Sequence, residues 1–199
     1  DEVVYLSELP ASQAAEVFPQ PYGDTFSVYT DYTALDNHYI PSNFMGDGAT
    51  GSLTLDQNWR ESPHSGNTSI RVDYTSGPQG WAGVFWTEPE NNWGQRPGGY
   101  SLMRAERVTF WARSEVEGLP VKVLVGGIGC NQPHYDSLCP GITQQIYLST
   151  RWQVFSIELQ PHQRDLWALL GGFGITTNRA GTIYLDDIVY TMAPPVTSP

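Results

Sequence analysis

The chain has 199 residues, 40% of them hydrophobic, and its 21 acidic against 10 basic side chains give a formal net charge of −11. That length supports one sizeable core and demands no second domain. The acidic balance, with no basic stripe to track phosphates, argues against nucleic acid and against anionic membrane surfaces as partners. The longest apolar runs, near Leu166 to Leu170 and Val121 to Val125, fall far short of the ~20 residues of a membrane span, so membrane insertion is not expected.

Twenty glycines and fifteen prolines are spread along the chain, which suits many short strands joined by turns. Residues 1–23 read differently from the rest: VVYL as a short strand, SELPASQAAEVF as a short helix, PQPYG as a stop. They are expected to form an arm outside the main domain. Asp1 is not an initiator methionine, so trimming from a longer precursor is expected. Strands are then predicted at 26–32, 52–56, 68–74, 81–86, 106–113, 121–126, 143–148, 152–159, 173–176 and 182–190, with helix potential only around Gln163 to Leu170. Ile70, Val72 and Tyr74 oppose Ser69, Arg71 and Asp73, and in ERVTFWAR the apolar face Val108, Phe110 and Ala112 leaves Trp111 pointing away with Arg107, Thr109 and Arg113. In WAGVFW, Trp81 and Phe85 oppose Val84 and Trp86. The pattern predicts an all-β fold, an antiparallel two-sheet β-sandwich of jelly-roll type over residues 24–191. A proline-rich tail covers 192–199.

Cys130 and Cys139 bracket a turn-rich loop, CNQPHYDSLC. Their spacing matches no metal knuckle or redox motif, and a local disulfide is expected, which implies an oxidising, extracytoplasmic compartment. The stretch GWAGVFWTEPENNWG puts three tryptophans and two adjacent asparagines into fifteen residues. Indoles beside amides form either a core seam or a platform for a flat ligand such as a sugar ring. Candidate ligand-binding residues are Trp81, Trp86, Trp93, Trp111, Tyr100, Asn91, Asn92 and Arg96, with Tyr135, Glu88 and Gln95 nearby and His134, Tyr135 and Asp136 as a second rim. For most of these tryptophans, burial is the competing reading; Trp93, in ENNWGQRPGG, is the exception because no strand period assigns it to a core.

Enzyme chemistry is not expected. The paired carboxylates Glu88/Glu90 and Glu115/Glu117 lie around a proline or in a turn, poor positions for glycoside hydrolysis. There is no GxSxG elbow and no HExxH, and GGIG and GGFG match no phosphate loop.

The segments SPHSGNTSIRVDY (62–74), GYSL with ERVTFWAR, RWQVFSIEL (151–159) and GTIYLDDIVY (181–190), in this order, resemble non-catalytic carbohydrate-binding modules with a galactose-binding-like jelly roll. The resemblance spans about residues 24–190. It implies a secreted or cell-surface location, polysaccharide as partner, and a calcium ion pinning the terminal strands together. The matching positions for calcium are Asp31, Asp36, Asp47, Asn67, Asp186 and Asp187, with Asp186 favoured over its neighbour because regular alternation would place it on one face with Tyr184 and Ile188. A competing expectation is a structural subunit of an extracellular fibre or layer, in which the strand-like arm pairs with a second copy of the chain.

Overall fold

A computed structural model describes residues 18–19, 21–131 and 135–194. The expected strand VVYL, most of the expected helix in the arm, His134 and the end of the tail lie outside the described residues.

Eleven strands are described: β1 (Thr25–Tyr29), β2 (Ile40–Gly46), β3 (Leu53–Trp59), β4 (Ser69–Tyr74), β5 (Ala82–Thr87), β6 (Ala105–Ser114), β7 (Leu119–Val125), β8 (Ile142–Leu148), β9 (Gln153–Glu158), β10 (Gly171–Thr177) and β11 (Gly181–Met192). They form two antiparallel sheets. One has the order β3-β4-β11-β6-β9, with β1 also paired to β11; the other has the order β2-β5-β10-β7-β8. The expected sandwich is therefore present. Ten of the strands coincide with sequence-predicted ones; β2, sequence IPSNFMG, was not predicted. Its proline, serine and glycine read as turn, but β2 is an edge strand, where a missing N–H at Pro41 does not interrupt an inner ladder. The helix expected around Gln163 to Leu170 is instead a 3-10 segment over Gln160–Asp165.

Ile70, Val72, Tyr74, Val108, Phe110 and Ala112 point between the sheets as their alternation led one to expect. Val84, Trp86, Val121, Val123 and Val125 are buried there as well, which takes Trp86 out of the candidate ligand residues. Trp86 is fully buried and meets Phe173 edge-on at 5.6 Å, the arrangement aromatic quadrupoles favour. Each such aliphatic or aromatic side chain contributes roughly 1.5–3 kcal/mol on burial.

Alternation fails at one informative place. Ile183 and Leu185 face inward, and so do Ile188, Tyr190 and Met192. The phase changes at Asp186 and Asp187, where pairing with β6 shifts register and Asp187 adopts φ 45°, a left-handed conformation that aspartate tolerates better than most residues. β4 pairs with β11 before the bulge and β1 after it. Asp186 therefore shares the outer face with Tyr184 but not with Ile188, which corrects the sequence expectation.

Of the N-terminal arm, Phe18 packs 5.8 Å from the Trp167 ring, and the carbonyls of Pro19, Pro21 and Gly23 accept hydrogen bonds from Ser101 and Arg104. Arg104 Nε also donates to Ala193 O, so one guanidinium ties both ends of the described chain together.

Candidate functional site

The two outer faces differ in what covers them. On the six-stranded sheet, aromatic and cationic side chains are occupied with one another. The Arg71 guanidinium lies 4.4 Å over Trp59, and that of Arg113 lies 3.8 Å over Tyr184 and 5.2 Å from the Trp152 ring. Tyr184 donates to Glu115, one of the carboxylates weighed for catalysis, at 2.8 Å. Trp111 is half-buried because the His64 ring is stacked on it at 3.7 Å. The loop holding His64 is fixed by Trp152 Nε1, which donates to Ser62 O, and by two aspartates. The His64 and Ser65 N–H groups donate to Asp186, while the Ser65 hydroxyl and His64 Nδ1 pair with Asp187. The ring expected to stack a ligand thus stacks a residue of its own chain.

On the five-stranded sheet, strand pairing sets outward side chains in rows. One row runs Met45, Gly83, Thr176, Lys122 and Gln145; the next holds Asn43, Phe85, Gly174, Leu124 and Thr143. The second row is roofed: Asn43 Nδ2 donates to Asn92 O, and Ile128 reaches over Gly171 toward Phe85, so that Phe85 and Asn43 are buried. Gly174 leaves the space for this, since a Cβ there would lie 2.7 Å from the Phe85 ring. The first row is open. It forms a groove of about 140 Å³ lined by Trp81, Pro120, Lys122, Gln145, Thr176, Thr177 and Asn178.

Trp81 stands 38% exposed at one side of this groove, and its position is built from below. Its indole lies against the backbone of Gly46, where a Cβ would come within 2.8 Å of the ring; Gly46 also has φ 58°, so a side chain is disfavoured twice. The turn before it is organised by Asp47, buried in the structure, whose carboxylate accepts from Gln79 N–H, Gly80 N–H and Tyr74 Oη at 2.9–3.0 Å, while Asp47 N–H donates to Trp81 O at 2.8 Å. Desolvation pushes the Asp47 carboxyl up, but these donors outweigh it and hold the group below the usual carboxylate range.

Across the groove, Gln145 is oriented by donating Nε2 to Val121 O and Ile146 O, and the hairpin carrying Asn178 is pinned by Thr177 Oγ1, which donates to Pro120 O. Tyr147, two residues along β8 from Gln145 and opposite Pro120, is 66% exposed on the same face. Trp81 and Tyr147 are separated by three strand spacings, about 14 Å. An indole and a phenol therefore flank a strip of polar side chains crossed by four strands.

The sequence-predicted ligand residues do not form one site. Trp81 lines the groove. Trp86 is in the core and cannot touch a ligand. Trp93, 39% exposed, sits where its loop meets Gly129 at the roofed end of the face. Asn92 is buried and structural: its Oδ1 accepts from the N–H groups of Gly94, Gln95 and Arg96, and its Nδ2 donates to Arg96 O. Asn91 is exposed with its N–H bound to Ser42 Oγ, and Arg96 spans back to Glu90 O. Tyr100 lies apart, with Phe26 and His38, in an edge cleft of about 280 Å³, and its hydroxyl donates to His38 O. Trp111 is on the opposite sheet. Of the second rim, Asp136 is buried and accepts from Ile128, Leu138 and Gly171 N–H groups, and burial pushes its carboxyl up to about 7 despite them. Cys130 and Cys139 are bonded, with Cα atoms 5.6 Å apart.

The residues present do not fit the calcium ion drawn from sequence. Asp31 accepts from Asn67 N–H, Thr68 N–H and Thr68 Oγ1 before β4, whereas Asp47 binds Tyr74 at the far end of β4, roughly 20 Å away. Asp36 accepts from Ser27 Oγ, and Asn67 takes part through its backbone. Donors aimed at Asp31, Asp47 and Asp186 place positively polarised hydrogens around the oxygens a cation would need. Among the described residues no group of three His, Cys, Asp or Glu side chains is positioned to hold a metal.

Lys122, Gln145, Tyr147, Thr176 and Asn178 were not singled out from sequence. Period-two reading of VKVLVG and TQQIYL does put Lys122, Gln145 and Tyr147 on outer faces, but only pairing with β10 reveals that they share Trp81's face.

The same two-sheet β-sandwich fold occurs in solved carbohydrate-binding modules. Among solved structures, the chain is similar to the family 30 carbohydrate-binding module of a cellulosomal cellulase of Clostridium thermocellum, with TM-score 0.55 and 13% identity over 86% of this chain and 99% of that one. A family 11 module from the same organism, in complex with a β-1,3-1,4-mixed-linked tetrasaccharide, gives TM-score 0.53 and 12% identity over 85% and 96%. A further family 30 module gives 0.54 and 13% over 88% and 91%. No family model and no curated protein matches the sequence. At these identities the likeness establishes the fold, and the site rests on this chain's own residues.

Proposed function

We propose that this chain is a secreted, non-catalytic polysaccharide-binding module whose ligand crosses the open row of the five-stranded sheet. The observation that carries the reading is the pair of exposed aromatic side chains, Trp81 and Tyr147, flanking Thr176, Lys122, Gln145 and Asn178 on one face. Stacking against pyranose rings supplies affinity, and the amides, hydroxyl and ammonium orient the chain through its hydroxyl groups. Neither Glu88/Glu90 nor Glu115/Glu117 lines the groove, so the reading includes no hydrolysis. The Cys130–Cys139 bond supports an oxidising, extracytoplasmic location; among the described residues, no helix is long and apolar enough to cross a membrane. Calcium has no part in the proposal, and assembly through the arm gains no support from its described residues, which pack on their own domain.

The test is native electrophoresis through gels containing a panel of soluble β-glucans, mannans, galactans and uronate polymers. Wild-type protein is retarded by at least one polymer, W81A and Y147A migrate faster there, and W111A behaves as wild type. Retardation abolished by W111A and untouched by W81A would place the ligand on the other sheet and refute the assignment.

A further inference from the structure

Lys122 is the only lysine among 199 residues, in a chain with 21 acidic side chains, and it stands in the groove. No residue lining the groove is acidic. Among the described residues Arg71–Asp73 is an ion pair and His64 Nδ1 contacts Asp187, and no described carboxylate lies within ion-pair distance of the Lys122 ammonium. It projects from β7 between Thr176 on β10 and Gln145 on β8. A polymer reaching from Trp81 to Tyr147 runs over Asn178 and Pro120, and Lys122 stands on the adjoining row, about 7 Å along β7 and within reach of groups on the sugars.

We propose that the groove selects a polysaccharide bearing an anionic group on its sugars, a uronate carboxylate or a sulfate ester, with Lys122 as the partner of that group. This rests on the polysaccharide-binding reading above and names the ligand class of the same site. A neutral polymer lying against the Lys122 side chain strips water from an ammonium and returns only hydroxyl oxygens. An anionic group returns charge-assisted hydrogen bonds, roughly twice as strong as neutral ones. Thr176 Oγ1 and the Asn178 amide N–H groups line the same groove as donors for the remaining anionic oxygens, whereas the Gln145 N–H groups are already given to Val121 O and Ile146 O. The chain's overall negative charge does not forbid this, because charges beyond a Debye length of about 8 Å are largely screened at physiological salt.

The experiment is calorimetric titration at 0.15 M salt with two matched polymer pairs: polygalacturonate against its carboxyl-reduced form, and a sulfated galactan against its desulfated form. The proteins are wild type, K122Q, K122R and W81A, each checked for an unchanged melting temperature. The proposal expects one charged polymer to bind about three- to tenfold more tightly than its neutral counterpart. K122Q erases that preference, K122R keeps most of it, and W81A weakens both members of the pair. The pair that shows the preference identifies the anionic group. Equal affinity for charged and neutral members, or a preference that survives K122Q, overturns the inference while leaving polysaccharide binding intact. Absence of binding to these pairs and to every polymer of the gel panel overturns the functional reading as well.

Discussion

Replacing Trp81 with alanine removes the side chain whose placement most of the groove exists to support. A tryptophan offers about 150–250 Å² for burial, and 38% of Trp81 is exposed, so roughly 60–95 Å² awaits a ligand. At about 25 cal/mol per Å² that area is worth ~1.5–2.4 kcal/mol, a loss of about 10- to 60-fold in affinity. The fold is expected to change little, because the ring lies on the Gly46 backbone at the rim instead of between the sheets. The assay is titration of the best-retained polymer from the gel panel, beside thermal melts of both proteins and of W111A. The comparison matters because Trp111 is of equal size but has His64 stacked on it; W111A keeps wild-type affinity and loses stability. Wild-type affinity in W81A with an intact melt refutes the reasoning.

Three other outcomes follow from the same geometry. Asp47→Ala leaves the Gln79 and Gly80 N–H groups and the Tyr74 hydroxyl without their acceptor, so binding falls in the same sense as in W81A, and heteronuclear spectra show broadening confined to the 77–81 turn; sharp, unshifted signals there contradict this. Burial raises the Asp136 carboxyl to about 7 in the folded protein, above its ordinary value near 4. The folded state therefore holds a proton that the unfolded chain has lost. Asp136 destabilises the fold by ~1.4 kcal/mol per pH unit as pH rises from about 4 to about 7. Urea unfolding shows this decline in wild type and a flatter profile in D136N; identical slopes in the two proteins contradict the assignment. Finally, because the aspartates expected to bind calcium already accept N–H and O–H donors, a chelator leaves the melting temperature of dialysed protein unchanged and added calcium does not raise it. An upward shift with calcium would show that these oxygens are available after all.

The strands were legible because half-buried sheets impose a period of two: in IRVDY and ERVTFWAR the positions read as one apolar face, Ile70, Val72 and Tyr74 and Val108, Phe110 and Ala112, are the buried ones. What escaped was non-local or irregular. β2 lacks alternation because an edge strand tolerates proline and small residues, and the bulge at Asp186–Asp187 reverses the phase of β11 through one left-handed residue that no pattern announces. The site was only partly legible for the same reason. Alternation sets Trp81 opposite Trp86 without saying which faces out, and the allocation of strands to sheets, which puts Trp81 and Trp111 on opposite sides of the sandwich, depends on pairings across about 70–95 residues. Asn92 and Asp47 illustrate a second limit, since amides and carboxylates that hydrogen-bond to ligands look the same in sequence as those that organise loops.

The proposed ligand position is the open row of the five-stranded sheet, between Trp81 and Tyr147. The most direct measurement is a heteronuclear NMR titration with oligosaccharides cut from the polymer that the gel panel retains best. Ligand held there shifts the Trp81 indole N–H and the amides of Lys122, Gln145, Tyr147 and Thr176 and leaves Trp111, Trp152 and His64 unmoved. Shifts clustered at Trp111 and Trp152, with the Trp81 indole silent, would contradict that position.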